Sequence, residues 1–162
     1  MRFMQVDCYS DEMIFVTVGI GGSDEIVRKV DDIASRSKGK FFVVLGEKRY
    51  VNYIPKHCDW VNSVPSIIPY IRKARLVIAH GGAGTIFECL NNGARLITVA
   101  KKHTDDHQTD IINKLSEEGY IINCKKLDEL EESINSKKKL RKYKSPKSEI
   151  ADKIAKFLEN VR

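Results

Sequence analysis

The sequence predicts an α/β domain in which a parallel sheet carries helices on both faces. Three observations lead there. Short apolar runs recur along the chain without polar alternation, as strands covered on both sides require. Stretches with helical apolar spacing separate them. Glycines stand at the ends of most runs, where strand-to-helix turns are needed.

Residues 13–18 are apolar except for Thr17 and stop at Gly19, which reads as a buried strand. Ser23 and Asp24 offer an N-cap to a helix whose Ile26, Val27, Val30 and Ile33 fall on one face. Residues 41–45 form a second buried strand stopped by Gly46, and residues 58–61 a weaker one. A short helix is expected over 65–72, interrupted in its propensity by Pro69. Residues 76–79 are the clearest strand and run directly into His80, Gly81, Gly82, Ala83 and Gly84. A helix from Thr85 to about Asn92 follows, with Gly93 at its C-terminal cap. The remaining pattern is a strand at 96–99, a helix at 105–118, a strand at 120–122 and a helix at 127–134.

The chain divides into an N-terminal extension (1–12), one α/β domain (13–136), a basic linker (137–148) and a C-terminal helix (149–162). In that last helix Ile150, Ile154, Leu158 and Val161 make one stripe, fit for docking on its own domain or on a partner. A chain of 162 residues supports one core of ordinary size. No apolar run reaches the roughly 20 residues that span a bilayer, and the first residues lack a signal-peptide pattern. A cytoplasmic location is expected. Cys8, Cys58, Cys89 and Cys124 are widely spaced and lack a metal-ligand pattern, so reduced structural thiols are expected.

The net charge of +6 is unevenly placed. Seven basic residues and no acid lie between Lys137 and Lys147, and the remainder holds 21 basic and 22 acidic residues. The body therefore has no nucleic-acid signature. The tail permits a weak contact with an anionic membrane surface, or is simply a solvated charge run.

A strand that ends in His80-Gly81-Gly82-Ala83-Gly84-Thr85 and enters a helix suits phosphate. Glycines let backbone N–H groups approach an anion, and the helix N-terminus adds unpaired donors and partial positive charge. It is not a Walker A loop, because no Gly-Lys-Ser/Thr is present, and Phe87 stands where a dinucleotide fingerprint needs glycine. The same glycines would also serve a tight turn with no ligand. Glu88 can close a capping box with Thr85 or accept hydrogen bonds from a ribose diol, and spacing does not separate the two.

The combined pattern H-G-G-x-G-T-x-x-E-x-L-x-x-G from His80 to Gly93, followed by a strand and then Asp105-Asp106-His107-Gln108, resembles the C-terminal domain of glycosyltransferase family 28. The likeness covers about residues 13–130. Within the family it is similar to the small single-domain members of the dolichol pathway and of bacterial polysaccharide synthesis. The resemblance implies a Rossmann-like fold, a single GT-B-type donor-binding half. It implies that Gly81, Gly82, Gly84 and Thr85, with His80, line the diphosphate of a UDP-sugar. Glu88 would bind the ribose, Asp106, His107 and Gln108 would face the sugar, and Gly19 would open the first strand toward the cleft.

By the same likeness the activity would be an inverting hexosyl transfer, most readily of N-acetylglucosamine, to a lipid-linked or polysaccharide acceptor. The catalytic base would lie on a membrane-anchored acceptor-binding subunit, which would hold this chain at the cytoplasmic face of a membrane. UDP-sugar is then a substrate, with no cofactor and no metal implied. A non-catalytic enhancer of another transferase is the alternative. Two departures from the family stand out: Arg95 where proline is usual, expected to alter only the loop before its strand, and Ile20 where threonine is common.

Overall fold

The computed structural model describes residues 12–99 and 106–145, with the side chains of Asp106 and His107 outside that description. The N-terminal extension before Glu12, Asp105, and the expected helix at 149–162 also lie outside the described residues. Strands β1 (Ile14–Thr17), β2 (Phe41–Val44), β3 (Asp59–Val61), β4 (Leu76–Ala79), β5 (Leu96–Val99) and β6 (Ile122–Cys124) form one sheet. Its order is β3-β2-β1-β4-β5-β6, and every pair is parallel. The helices are α1 (Asp24–Arg36), α2 (Ile68–Lys73), α3 (Ala83–Asn91), α4 (Asp106–Glu117) and α5 (Leu130–Asn135). The chain thus adopts the expected Rossmann-like fold.

Alternation along fully buried strands feeds two cores. Ile14, Val16 and Val18 pack with Val27, Val30 and Ile33 of α1 and with Leu130 and Ile134 of α5. Met13 and Phe15 point the other way, against Tyr70 and Ile71 of α2, Ile86 and Leu90 of α3, and Ile112 of α4. Phe15, Phe42 and Tyr70 stack there with ring centroids 4.9 to 6.2 Å apart. Such pairs are worth about 0.5–1.5 kcal/mol beyond area burial.

Several boundaries differ from the sequence expectation. Helix α2 starts at Ile68, which places Pro69 in the first turn, where its missing N–H costs nothing. Strand β6 begins two residues later than expected, because the sheet register pairs Ile97 with Ile122. Tyr120 instead faces Tyr143, edge to ring, at 5.5 Å. The helix expected at 127–134 is a 3₁₀ turn (Leu127–Glu129) followed by α5.

The expected linker at 137–148 is, over its described residues, fastened to the domain. Arg95 donates to the carbonyls of Ser136 and Lys138, each at 2.7 Å. The Arg141 N–H donates to Gly119 O at 2.9 Å, and its guanidinium to Glu118 O at 3.1 Å. Tyr143 then packs on the second core. The segment leaves α5 on one face of the sheet and ends beside α3 on the other. Arg95 therefore does more than shape the loop before β5.

Candidate functional site

In this strand order the connections from β1 and β4 leave toward opposite faces, so a crevice opens at their carboxyl ends. Open α/β sheets bind ligands at this switch point. Thr17 and Ala79 are level in the β1–β4 register, so the turns at Gly19 and Gly81 emerge side by side. The backbone N–H of His80 donates to Thr17 O at 3.3 Å and joins them.

The His80 ring lies between two glycines. A Cβ on Gly19 would come within 2.5 Å of His80 Cε1, and one on Gly82 within 2.7 Å of Nε2. Both turns can close on the imidazole only because neither carries a side chain. Gly19 also holds φ +71°, a left-handed conformation that strains other residues. His80 is thus a half-buried wall between the two loops. Gly81, at φ +87°, has no room for a Cβ either, since Ile112 Cδ1 would lie 2.7 Å from it. That close approach brings α4 against the glycine turn.

Gly82 is the N-cap of α3, and its carbonyl accepts the Ile86 N–H at 3.0 Å. The first helical residues are Ala83, Gly84 and Thr85, whose N–H groups have no carbonyl one turn earlier and point out of the helix end. This corrects the expected start at Thr85. As third residue of the helix, Thr85 is not an N-cap, and the capping box with Glu88 does not form. Glu88 sits in the second turn, exposed, with no hydrogen bond or ion pair from its carboxylate to another described residue.

Glu88 follows Gly84 by four residues and Thr85 by three, so it neighbours both on the surface of α3. Ile86, Cys89 and Leu90 occupy the buried side. Nothing lies within 4 Å of a Cβ built on Gly84. The helix therefore offers an open strip: backbone donors at its end, a hydroxyl beside them, and a carboxylate one turn further. Burial, with the Glu88 charge adjacent, pushes the Cys89 thiol up to about 12, in keeping with a structural role.

Gln108 stands in the first turn of α4, half-buried. It precedes Ile112 by one turn and so shares the helix side that meets Gly81. The structure brings Gly19, His80, Gly81, Gly82, Gly84, Thr85, Glu88 and Gln108 around one crevice. The backbone of Asp106 and His107 opens the same helix.

Ile20, 71% exposed, caps the turn after β1. That turn is buttressed by the next one, because Glu47 N–H donates to Ile20 O at 2.9 Å and Gly46 packs directly on its backbone.

A buried carboxylate behind this rim escaped the sequence reading. Asp31 of α1, 2% exposed, accepts hydrogen bonds from Tyr53 Oη (2.6 Å), Lys56 N (3.0 Å) and His57 N (2.7 Å). Asp24, two turns earlier, takes the N–H groups of Asn52 and Tyr53 instead of capping its own helix. The two acids thereby fasten the segment leading to β3. Burial alone would raise the Asp31 carboxyl, but the bonds from Tyr53, Lys56 and His57 hold it below the ordinary range. The signal was present: Asp31 interrupts an otherwise apolar helix face. Nearby Cys58 is pushed up to about 12, by burial first and by Asp31 second, so it is no nucleophile. No cluster of three metal-ligating side chains occurs among the described residues, and no helix there is long and apolar enough to cross a membrane.

The sequence profile of the glycosyltransferase family 28 C-terminal domain matches residues 13–161. A human protein, UDP-N-acetylglucosamine transferase subunit ALG13, is 29% identical over 125 residues, covering 68% of this chain and 11% of the relative. Its mouse counterpart is 31% identical over 122 residues, covering 68% and 10%. The chain spans about a tenth of the length of these relatives. Among solved structures, MurG of Acinetobacter baumannii superposes with a TM-score of 0.62 at 18% identity, over 76% of this chain and 40% of that one.

Proposed function

Because the chain belongs to the glycosyltransferase family 28 C-terminal domain family, we propose that it is the donor-binding half of a two-component inverting sugar transferase. The open strip on α3 carries this reading. The diphosphate of a UDP-sugar lies over the N–H groups of Ala83, Gly84 and Thr85, where the helix dipole and unpaired donors favour negative charge. The exposed carboxylate of Glu88 accepts the two hydroxyls of the ribose. Gln108, with Asp106 and His107 beside it, faces the sugar ring from α4. N-acetylglucosamine is the first choice of sugar, supported by the names of the human and mouse relatives.

In the reaction an acceptor hydroxyl attacks the anomeric carbon from the face opposite the diphosphate. The C–O bond to UDP breaks, and the charge that grows on the leaving oxygen is held by donors already in place. Preorganised donors of this kind act without reorganisation at the moment of reaction. We assign the base that takes the acceptor proton to a membrane-anchored acceptor-binding subunit. The word "subunit" in the relatives' names supports a partner.

Titration calorimetry of the chain against UDP, UDP-N-acetylglucosamine, UDP-galactose and ADP tests the donor assignment. Binding of the uridine ligands in preference to ADP, weakened in Glu88→Ala, is expected. Equal binding of ADP, or no effect of Glu88→Ala, would overturn it.

A further inference from the structure

We infer that residues 137–145 form a preset cationic strap that rests on an anionic phospholipid surface. Lys137, Lys138, Lys139, Arg141, Lys142 and Lys144 are all exposed. No acid interrupts them, while the rest of the chain is nearly neutral. What distinguishes them from a solvated charge run is that the backbone carrying them is held. Arg95 grips the carbonyls of Ser136 and Lys138, and Arg141 is tied to Gly119 and Glu118. Its guanidinium also lies over the Tyr120 ring at 5.1 Å. A strap already ordered gives up less chain entropy when it meets a charged surface.

The surroundings select the kind of anion. A cavity of about 440 Å³ opens between the strap and the α3–β5 turn, with Arg95, Arg141 and Lys142 among its walls beside Leu90, Tyr120 and Tyr143. Cations set beside apolar and aromatic surface suit the headgroup region of a bilayer, where aromatic rings and basic side chains gather. Phe87, 37% exposed, continues that surface next to Tyr143. A single-stranded nucleic acid would need free ring faces for stacking. Tyr143 is already engaged by Tyr120 and Phe87. This inference stands apart from the donor site, since it uses none of that site's residues.

Flotation of the full 162-residue chain with phosphatidylcholine vesicles, with and without phosphatidylglycerol, tests it directly at about 0.1 M and 0.5 M salt. Binding is expected only to the phosphatidylglycerol vesicles and should fade at the higher salt. The combined variant Lys137→Gln, Lys139→Gln, Lys142→Gln, Lys144→Gln should lose at least about tenfold in partitioning, as each basic residue near such a surface matters severalfold. Arg95→Ala keeps every strap cation but removes the fastening, and should also partition less. Equal binding to both vesicles, or an unchanged quadruple variant, would overturn the proposal. So would an unchanged Arg95→Ala, because charge density without a preset strap would then suffice. Displacement of the vesicles by millimolar glycerol phosphate would overturn it in favour of a single-phosphate pocket, and tighter binding of a structured RNA in favour of a polynucleotide surface.

Discussion

Gly19 and His80 follow different strands, yet the imidazole of one fills the space where a side chain on the other would begin. A Cβ at Gly19 would fall 2.5 Å from His80 Cε1 and 2.7 Å from Nε2. A Cβ at Gly82 would meet the same ring, 2.7 Å from Nε2. The crevice between β1 and β4 is therefore set by one imidazole held between two backbones.

Gly19→Ala should accordingly disturb both fold and binding. The φ of +71° and the displaced ring together should cost about 1–3 kcal/mol. A thermal melt will show the loss, and calorimetry a fall in UDP-sugar affinity beyond what partial unfolding explains. Wild-type stability and affinity in this variant would mean that the ring is free to move aside.

Glu88 is exposed and offers its carboxylate to no other described residue, so Glu88→Ala should leave stability within about 0.5 kcal/mol of wild type. Affinity for UDP should fall about 10- to 100-fold, the range for a lost bond to a charged acceptor. Glu88→Gln, which keeps one carbonyl oxygen, should fall less. A 2′-deoxyribose analogue should bind wild type weakly and lose little more in Glu88→Ala. Full additivity of the two changes would move the ribose away from Glu88.

Gln108→Ala should separate the sugar from the nucleotide. UDP itself should bind with little change. UDP-N-acetylglucosamine should weaken about 2- to 10-fold, as for one neutral hydrogen bond. Equal weakening of both ligands would place Gln108 against the diphosphate instead.

Asp31 has a depressed carboxyl, so its contribution to stability is fully present above the unfolded value of 3.8 and is lost as the pH falls through the lower folded value. At neutral pH, Asp31→Ala should cost about 2–4 kcal/mol, because three donors lose a buried acceptor. Urea unfolding of both proteins should show this gap narrowing as the pH is taken below 3.8. A gap independent of pH would show that packing, not the carboxylate, accounts for the loss.

The open strip on α3 was legible in consecutive residues, though not its geometry. A strand running into His80-Gly81-Gly82 and then a helix marks a glycine turn that suits an anion, while the same glycines would also serve a tight turn with no ligand. The start of α3, by contrast, turned on how tightly Gly81 and Gly82 could wrap His80. Shifting the helix start from Thr85 to Ala83 removed the competing role of Glu88 as a capping partner. Gln108 was nominated by family likeness, and its place beside the glycine turn follows from Ile112 packing on Gly81.

Strand and helix identity, the parallel sheet and the glycine turn all follow from short-range physics. Apolar periodicity and backbone freedom act over a few neighbouring residues and can be read in order. The His80 wall, the Asp31 brace and the fastening of the basic strap by Arg95 join residues some 20 to 60 positions apart. Nothing in the local chemistry of an arginine before a strand, or of an acid on a helix, says which distant carbonyl or amide will meet it. Those partners exist only once the sheet order has brought their loops together, and packing decides which of them are close enough to bond.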